Sequence, residues 1–187
     1  MARVIAVTNQ KGGVGKTTTS INVAYFLSKM GKRTLIIDFD PQGNATSGLG
    51  IDKQELGATM TEVIMRQTRL AKVVLPTEYK DLYLAPSTSH LANTEVELAQ
   101  ADGRFARLRE ALNGVIDYDY IIIDSPPSLS LLTVNGLVAA DYVLLPVQAE
   151  FYALEGLGQL LESMKLIRKG LNPSLKLLGV LPTMMDS

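Results

Sequence analysis

The chain has no cysteine and no tryptophan, a single histidine, and almost no excess of charge of either sign. Without cysteine there can be no disulfide, no thiolate zinc site and no cysteine-ligated iron–sulfur cluster. The one histidine, His90, follows the turn Ser87-Thr88-Ser89 and precedes a helical stretch, so it reads as a surface or capping residue rather than a metal ligand or proton carrier. A net charge of −1 and a pI near 5.9 do not advertise nucleic-acid binding by the chain as a whole. No apolar run approaches the roughly 18 residues that a membrane span needs, and the N-terminus enters a strand almost at once, with no charged-then-apolar leader. The cytoplasm is the plain expectation. What remains is 187 residues that are 47% hydrophobic and 20% charged, enough for one globular α/β domain with a substantial core.

Short apolar runs recur at Val4–Val7, Thr34–Ile37, Leu82–Ala85, Tyr120–Ile123, Val143–Val147 and Leu177–Leu181. Nearly continuous and rich in Ile, Val and Leu, they predict parallel strands covered on both faces. Helical stripes lie between them. Val23, Phe26, Leu27 and Met30 form one, stopped at Gly31, and Leu157, Leu160, Leu161 and Met164 form another. Both are expected to pack into the core. Further helices are expected at Met60–Arg66, Leu91–Ala101 and Phe105–Leu112, with a weak strand or turn at Val73–Leu75. The alternation predicts a doubly wound, mainly parallel sheet with helices on both faces. In such sheets ligands bind beyond the carboxyl ends of the strands, where Asn9–Thr17, Asp38–Asn44 and Asp124–Pro127 should meet. The chain stops at Ser187 shortly after a strand, so residues 1–187 are expected to be a single domain truncated at its C-terminal end.

The strongest motif is Gln10-Lys11-Gly12-Gly13-Val14-Gly15-Lys16-Thr17-Thr18 after the first strand. Glycines let successive backbone N–H groups converge on an anion, and the helix that follows adds partial positive charge. The stretch Lys11–Thr18 is therefore a phosphate cradle, with Lys16 reaching the β- and γ-phosphates and the Thr17 hydroxyl placed to ligate Mg²⁺. Cations on a first helical turn are unfavourable unless an anion is present. The generic loop, G-x-x-x-x-G-K-[ST], would place its first glycine at Gln10; here the glycines move inward and a second lysine, Lys11, precedes them. Asp38 and Asp40 leave the second strand ahead of Pro41 and Gly43. Asp38 is a candidate Mg²⁺ ligand and Asp40 a candidate for holding the attacking water, the alternative being that both cap a turn. Tyr120-Ile121-Ile122-Ile123-Asp124 is an apolar strand ending in acid, which suits Asp124 to hold Mg²⁺ through a water.

The K-G-G-x-G-K-T loop resembles the deviant Walker A loop of the ParA/Soj/MinD group of ATPases. Asp38–Gly50, Asp124–Ser128 and Pro146–Leu157 resemble chromosomal ParA/Soj proteins in particular, over nearly the whole chain. The resemblance implies a P-loop NTPase fold and an ATP hydrolase, slow and partner-stimulated, that takes ATP and Mg²⁺. It implies a homodimer in the ATP state that binds DNA without sequence preference, a ParB-type partner that stimulates hydrolysis, and nucleoid association. It also implies that Lys11 crosses to the partner's nucleotide, Lys16 and Thr17 hold phosphate and metal, Asp40 is the catalytic acid and Asp124 the Walker B acid. A lysine supplied in trans can act as an arginine finger does; the alternative for Lys11 is a solvated lysine beside an anion site. The family's DNA and adenine contacts fall beyond Ser187. The runner-up is a MinD-like membrane-associated positioning ATPase, whose amphipathic helix would also lie beyond Ser187; within the chain no membrane partner is expected.

Overall fold

The computed structural model describes residues 2–149 and 153–185, and no side chain is described for residues 153–157 or 159. Seven strands form one sheet: β1 (Arg3–Val7), β2 (Thr34–Asp38), β3 (Leu75–Pro76), β4 (Leu82–Ala85), β5 (Tyr120–Asp124), β6 (Tyr142–Gln148) and β7 (Lys176–Thr183). Their order is β3-β4-β2-β5-β1-β6-β7, parallel throughout except where β3 runs against β4. Each apolar run expected as a strand is one. Alternate side chains feed two cores: Val4, Ala6, Leu35, Ile37, Ile121 and Ile123 face one layer, and Ile5, Val7, Ile36 and Ile122 face the other. A sheet buried on both faces requires such unbroken apolar strands.

Among the described residues seven α-helices connect or flank the strands: α1 (Lys16–Lys29), α2 (Asn44–Gly48), α3 (Met60–Ile64), α4 (His90–Leu98), α5 (Arg107–Leu112), α6 (Leu131–Ala139) and α7 (Ala153–Gly170). The short α2 and the apolar α6 are absent from the expectations above. On α7, Leu160, Leu161 and Met164 pack inward as expected; the side chain of Leu157 is outside the description.

The α1 stripe is a correction. Phe26 and Met30 are 61% and 73% exposed, whereas Ser20, Ala24 and Ser28 are buried, with Val23 and Leu27 only partly so. Because α1 starts directly from the loop at the centre of the sheet, it lies close against the strands; small side chains occupy its fully buried line, and Ile21, Val23, Tyr25 and Leu27 pack partly buried at its flanks. At the opposite edge, β7 leaves Leu177, Leu178, Val180 and Leu181 between 39% and 51% exposed. Among the described residues no helix is long and apolar enough to cross a membrane.

Candidate functional site

Three strand ends build the site. β5 lies between β1 and β2, and the register places Val7 and Asp38 on either side of Asp124. The loops leaving β1 and β2 and the β5 carboxylate are therefore delivered to one level of the sheet. The expected crevice of Asn9–Thr17, Asp38–Asn44 and Asp124–Pro127 is formed there.

The loop from Asn9 to Lys16 turns on left-handed Gly13 (φ 76°) and Gly15 (φ 85°), a conformation that costs glycine nothing. Gly15 is the N-cap of α1, and no side chain caps that helix. The loop is braced from both sides. Asn9, buried, donates to the Pro146 carbonyl at 2.7 Å and accepts the Lys11 N–H at 3.0 Å. Thr183, at the end of β7, donates to the Val14 carbonyl at 2.9 Å. Lys11, Gly12 and Gly13 are exposed. Lys16 is buried and its Nζ donates to the Lys11 carbonyl at 2.9 Å. Burial draws its pKa down, against the opposing pull of Asp124 and then Asp40.

Asp124 is fully buried. Its carboxylate accepts the Thr17 hydroxyl at 2.7 Å and the Ser20 hydroxyl at 2.8 Å; Ser20 also lies 3.0 Å from the Lys16 carbonyl. Burial still dominates and raises the Asp124 pKa to about 7, with Asp38 and Asp40 adding to the rise and the two hydroxyls opposing it. A carboxylate this poorly solvated is short of a cation. The all-oxygen pair of Thr17 hydroxyl and Asp124 carboxylate is the donor chemistry a hard divalent cation takes. Among the described residues no three His, Cys, Asp or Glu side chains gather into a metal cage.

Asp38 is also fully buried, but its carboxylate is occupied by the chain. Oδ2 accepts both the N–H and the hydroxyl of Thr46 at 2.7 Å each, and Oδ1 accepts the Asp40 N–H at 3.3 Å. Thr46 in turn accepts the Ser87 N–H at 3.0 Å. Burial raises the Asp38 pKa to about 6 against these three donors. Asp40, also buried, accepts the Gln42 N–H at 2.9 Å through Oδ1, and its carbonyl accepts the Gly43 N–H at 2.9 Å. The Asp38–Asn44 segment is thus a tight turn tied to α2; its partner Thr46 lies inside the Asp38–Gly50 segment singled out above without a role of its own, and Ser87 carries no sequence signal that marks it. Ser20 and Thr183 are likewise unmarked, although Ser20 lies one helical turn beyond Lys16, and Asn9 falls in the expected crevice without an assigned role. Of the Pro146–Leu157 segment, Glu150, Phe151 and Tyr152 lie outside the described residues.

A cleft of about 770 Å³ lies away from these loops, between α3 and α5, where Arg66, Arg69 and Arg107 line it. It shares no residue with the strand-end site, whose loops are open to solvent.

Comparison with known proteins follows the same lines. A family model described as an AAA domain matches residues 2–177. The chain is 52% identical over 188 residues to the chromosome partitioning protein ParA of Myxococcus xanthus, spanning 100% of this chain and 66% of that protein. It is 50% identical to the sporulation initiation inhibitor protein Soj of Bacillus subtilis, spanning 74% of that protein. Among solved structures, cobyrinic acid a,c-diamide synthase from Mycobacterium smegmatis with bound ATP analog and magnesium superposes with a TM-score of 0.96 at 42% identity, covering 100% of this chain and 77% of that one.

Proposed function

The chain belongs to the ParA/Soj family of partitioning ATPases, and from that premise we propose that it is an Mg²⁺-dependent ATP hydrolase working as a nucleotide-controlled dimerisation switch in chromosome or plasmid partitioning. In this reading the ATP-bound dimer binds DNA without sequence preference, and a ParB-type partner stimulates an otherwise slow hydrolysis. One observation carries the nucleotide-hydrolase part of it: Thr17 and Ser20, on the first turns of a helix with no side-chain cap, both donate to Asp124, with Lys16 and Asp40 in electrostatic reach of one another.

The residue roles follow from that arrangement. Backbone N–H groups of Gly12–Thr18 hold the phosphates, and Lys16 exchanges the Lys11 carbonyl for the β- and γ-oxygens. Thr17 would supply a hydroxyl to Mg²⁺ and Asp124 would hold it through water, and the bound ion would neutralise charge on the phosphate oxygens. Asp40 orients the attacking water and accepts its proton. Lys11, exposed on the loop, reaches the γ-phosphate of a second copy. Asp38, whose Oδ2 is engaged by both donors of Thr46 and whose Oδ1 accepts the Asp40 N–H, is assigned to holding the Asp40 loop rather than the ion.

Asp40→Ala tests the assignment. Turnover should fall at least roughly 100-fold, the usual worth of a positioned base, while ATP affinity and ATP-dependent dimerisation persist. An unchanged rate would show that another group positions the water. The M. smegmatis relative's name suggests amide synthesis as a second reading; hydrolysis with no acceptor present separates the two.

A further inference from the structure

The turn that presents Asp40 is held from two directions. From the core it is held by Asp38, Thr46 and Ser87. From the surface it is held by Lys53. This residue opens a short 3-10 turn, Lys53–Glu55, capped by the Asp52 carboxylate, which accepts the Gln54 N–H at 2.9 Å. Its side chain reaches back across eleven positions, and Nζ donates to the Gln42 carbonyl at 2.6 Å.

Two further observations converge on that contact. Gln42 is the residue whose N–H orients the Asp40 carboxylate, so the peptide that Lys53 grips adjoins the one that aims the acid. Its neighbour Gly43 has φ 59°, and a Cβ there would meet Lys53 Cε at 2.8 Å, Lys53 Nζ at 2.9 Å and the Ser87 carbonyl at 2.7 Å. Gly43 therefore serves more than the bend: a side chain there would collide with the fixed Ser87 carbonyl, and the lysine tip lies in the same space. No ion pair claims Lys53 among the described residues. Glu62, which lines the same groove of about 550 Å³, is taken up by the Thr59 N–H at 2.7 Å and the Thr59 hydroxyl at 3.0 Å in a capping box. An ammonium spent on a main-chain carbonyl is a fastening of the backbone, since Lys offers a mobile point charge with three donors.

We propose that Lys53 is a positioning residue for hydrolysis: it clamps the Gln42 carbonyl and keeps the Asp40–Gly43 turn closed, so that Asp40 points where the water must sit. This rests on the role of Asp40 proposed above. Lys53 touches no reacting atom, so its removal should lower kcat and leave nucleotide affinity nearly alone. A displacement of the order of 1 Å in a positioned group costs up to about 100-fold.

The test exploits the absence of cysteine from the chain. Lys53→Met keeps the stem and removes the ammonium. Lys53→Cys can be alkylated at one site only, and aminoethylation restores an ammonium at the length of lysine. Three quantities are read: ATP turnover, affinity for a non-hydrolysable ATP analogue, and amide exchange at Gln42 and Gly43. Lys53→Met should turn over roughly 10- to 100-fold more slowly, bind the analogue within about twofold of the parent, and exchange the Gly43 amide faster. Aminoethylated Lys53→Cys should recover both rate and protection relative to its unalkylated form, and that pair serves equally should the Met variant fold poorly. Parental turnover with unchanged exchange in Lys53→Met overturns the proposal, and so does alkylation without recovery. Should the parent chain itself hydrolyse no ATP, the hydrolase reading fails on its own, and exchange at Gly43 alone decides whether the clamp stands.

Discussion

Asp124 should make the nucleotide-free protein less stable than it would be without its charge. The carboxyl is fully buried and accepts two hydroxyls, yet its pKa rises from 3.8 to about 7 because burial outweighs those bonds. The folded state therefore holds a proton that the unfolded chain releases between about pH 4 and pH 7. Where the unfolded state binds fewer protons, stability falls as pH rises, so the loss begins near pH 4 and is complete above about pH 7. At about 1.4 kcal/mol for each pH unit between the two pKa values, the penalty above neutrality is of the order of 4 kcal/mol. Asp38, raised to about 6 for the same reason, adds a penalty of the same sign over a narrower window.

Asp124→Asn keeps the size and removes the charge. Its amide can still meet the Thr17 and Ser20 hydroxyls, which rotate to donate or accept. Some of the penalty will not be recovered, because Lys16 loses a favourable carboxylate partner in the same step. Urea unfolding without nucleotide and with EDTA, at half-unit steps from pH 5 to pH 8, should show the variant more stable at pH 8 by about 1–3 kcal/mol. The advantage should shrink steadily towards pH 5. The same variant should lose Mg²⁺-dependent turnover, a trade of function against stability that buried functional charges commonly make. A variant equal to or weaker than the parent at pH 8 would refute the reasoning, since the ionised carboxylate would then be a net stabiliser paired with Lys16.

Other expectations follow from the same geometry. Lys11→Ala should abolish ATP-dependent dimerisation or hydrolysis and spare most nucleotide binding by the monomer; an undiminished dimer in light scattering with normal turnover would exclude a role in trans. Thr46→Val, close in volume, removes a donor to the buried Asp38 carboxylate and an acceptor for the Ser87 N–H, and should cost about 2–4 kcal/mol in denaturant unfolding. On α1, Phe26→Ala should fall within about 0.5 kcal/mol of the parent because the ring is exposed, whereas Ala24→Leu, beneath the helix, should cost about 1–3 kcal/mol or more by overpacking. The reverse ranking would restore the apolar stripe as the buried face.

That last pair bears on how far a sequence carries. Six apolar runs foretold six strands; for the central strands the reason is that a strand covered on both sides has little freedom to include polar residues, whereas β7 is apolar yet largely exposed. The motifs at Lys11–Thr18, Asp38–Gly43 and Asp124 each lie just beyond or at such a run, and parallel topology brings the ends of β1, β5 and β2 together. The site's main acids and its lysines were therefore legible. Its supports were not. Ser20 and Thr183 are single polar residues with no periodicity, and they acquire roles only through partners 104 and 169 positions away; Asn9 and Thr46 fall inside the motif segments, but nothing in the segments says what they hold. The helix face failed for a related reason. Periodicity identifies the apolar side of α1, but the buried side is set by how closely the helix approaches the sheet. The phosphate loop is only a few residues long and ends at left-handed Gly15, so it brings the helix N-terminus directly over the ends of β1 and β5. At that distance Ser20 can reach Asp124, and Ser20, Ala24 and Ser28 fit beneath the backbone where Phe26 and Met30 could not. A small-residue face starting at Lys16 is thus a consequence of the phosphate site, and the helix is packed to serve the loop.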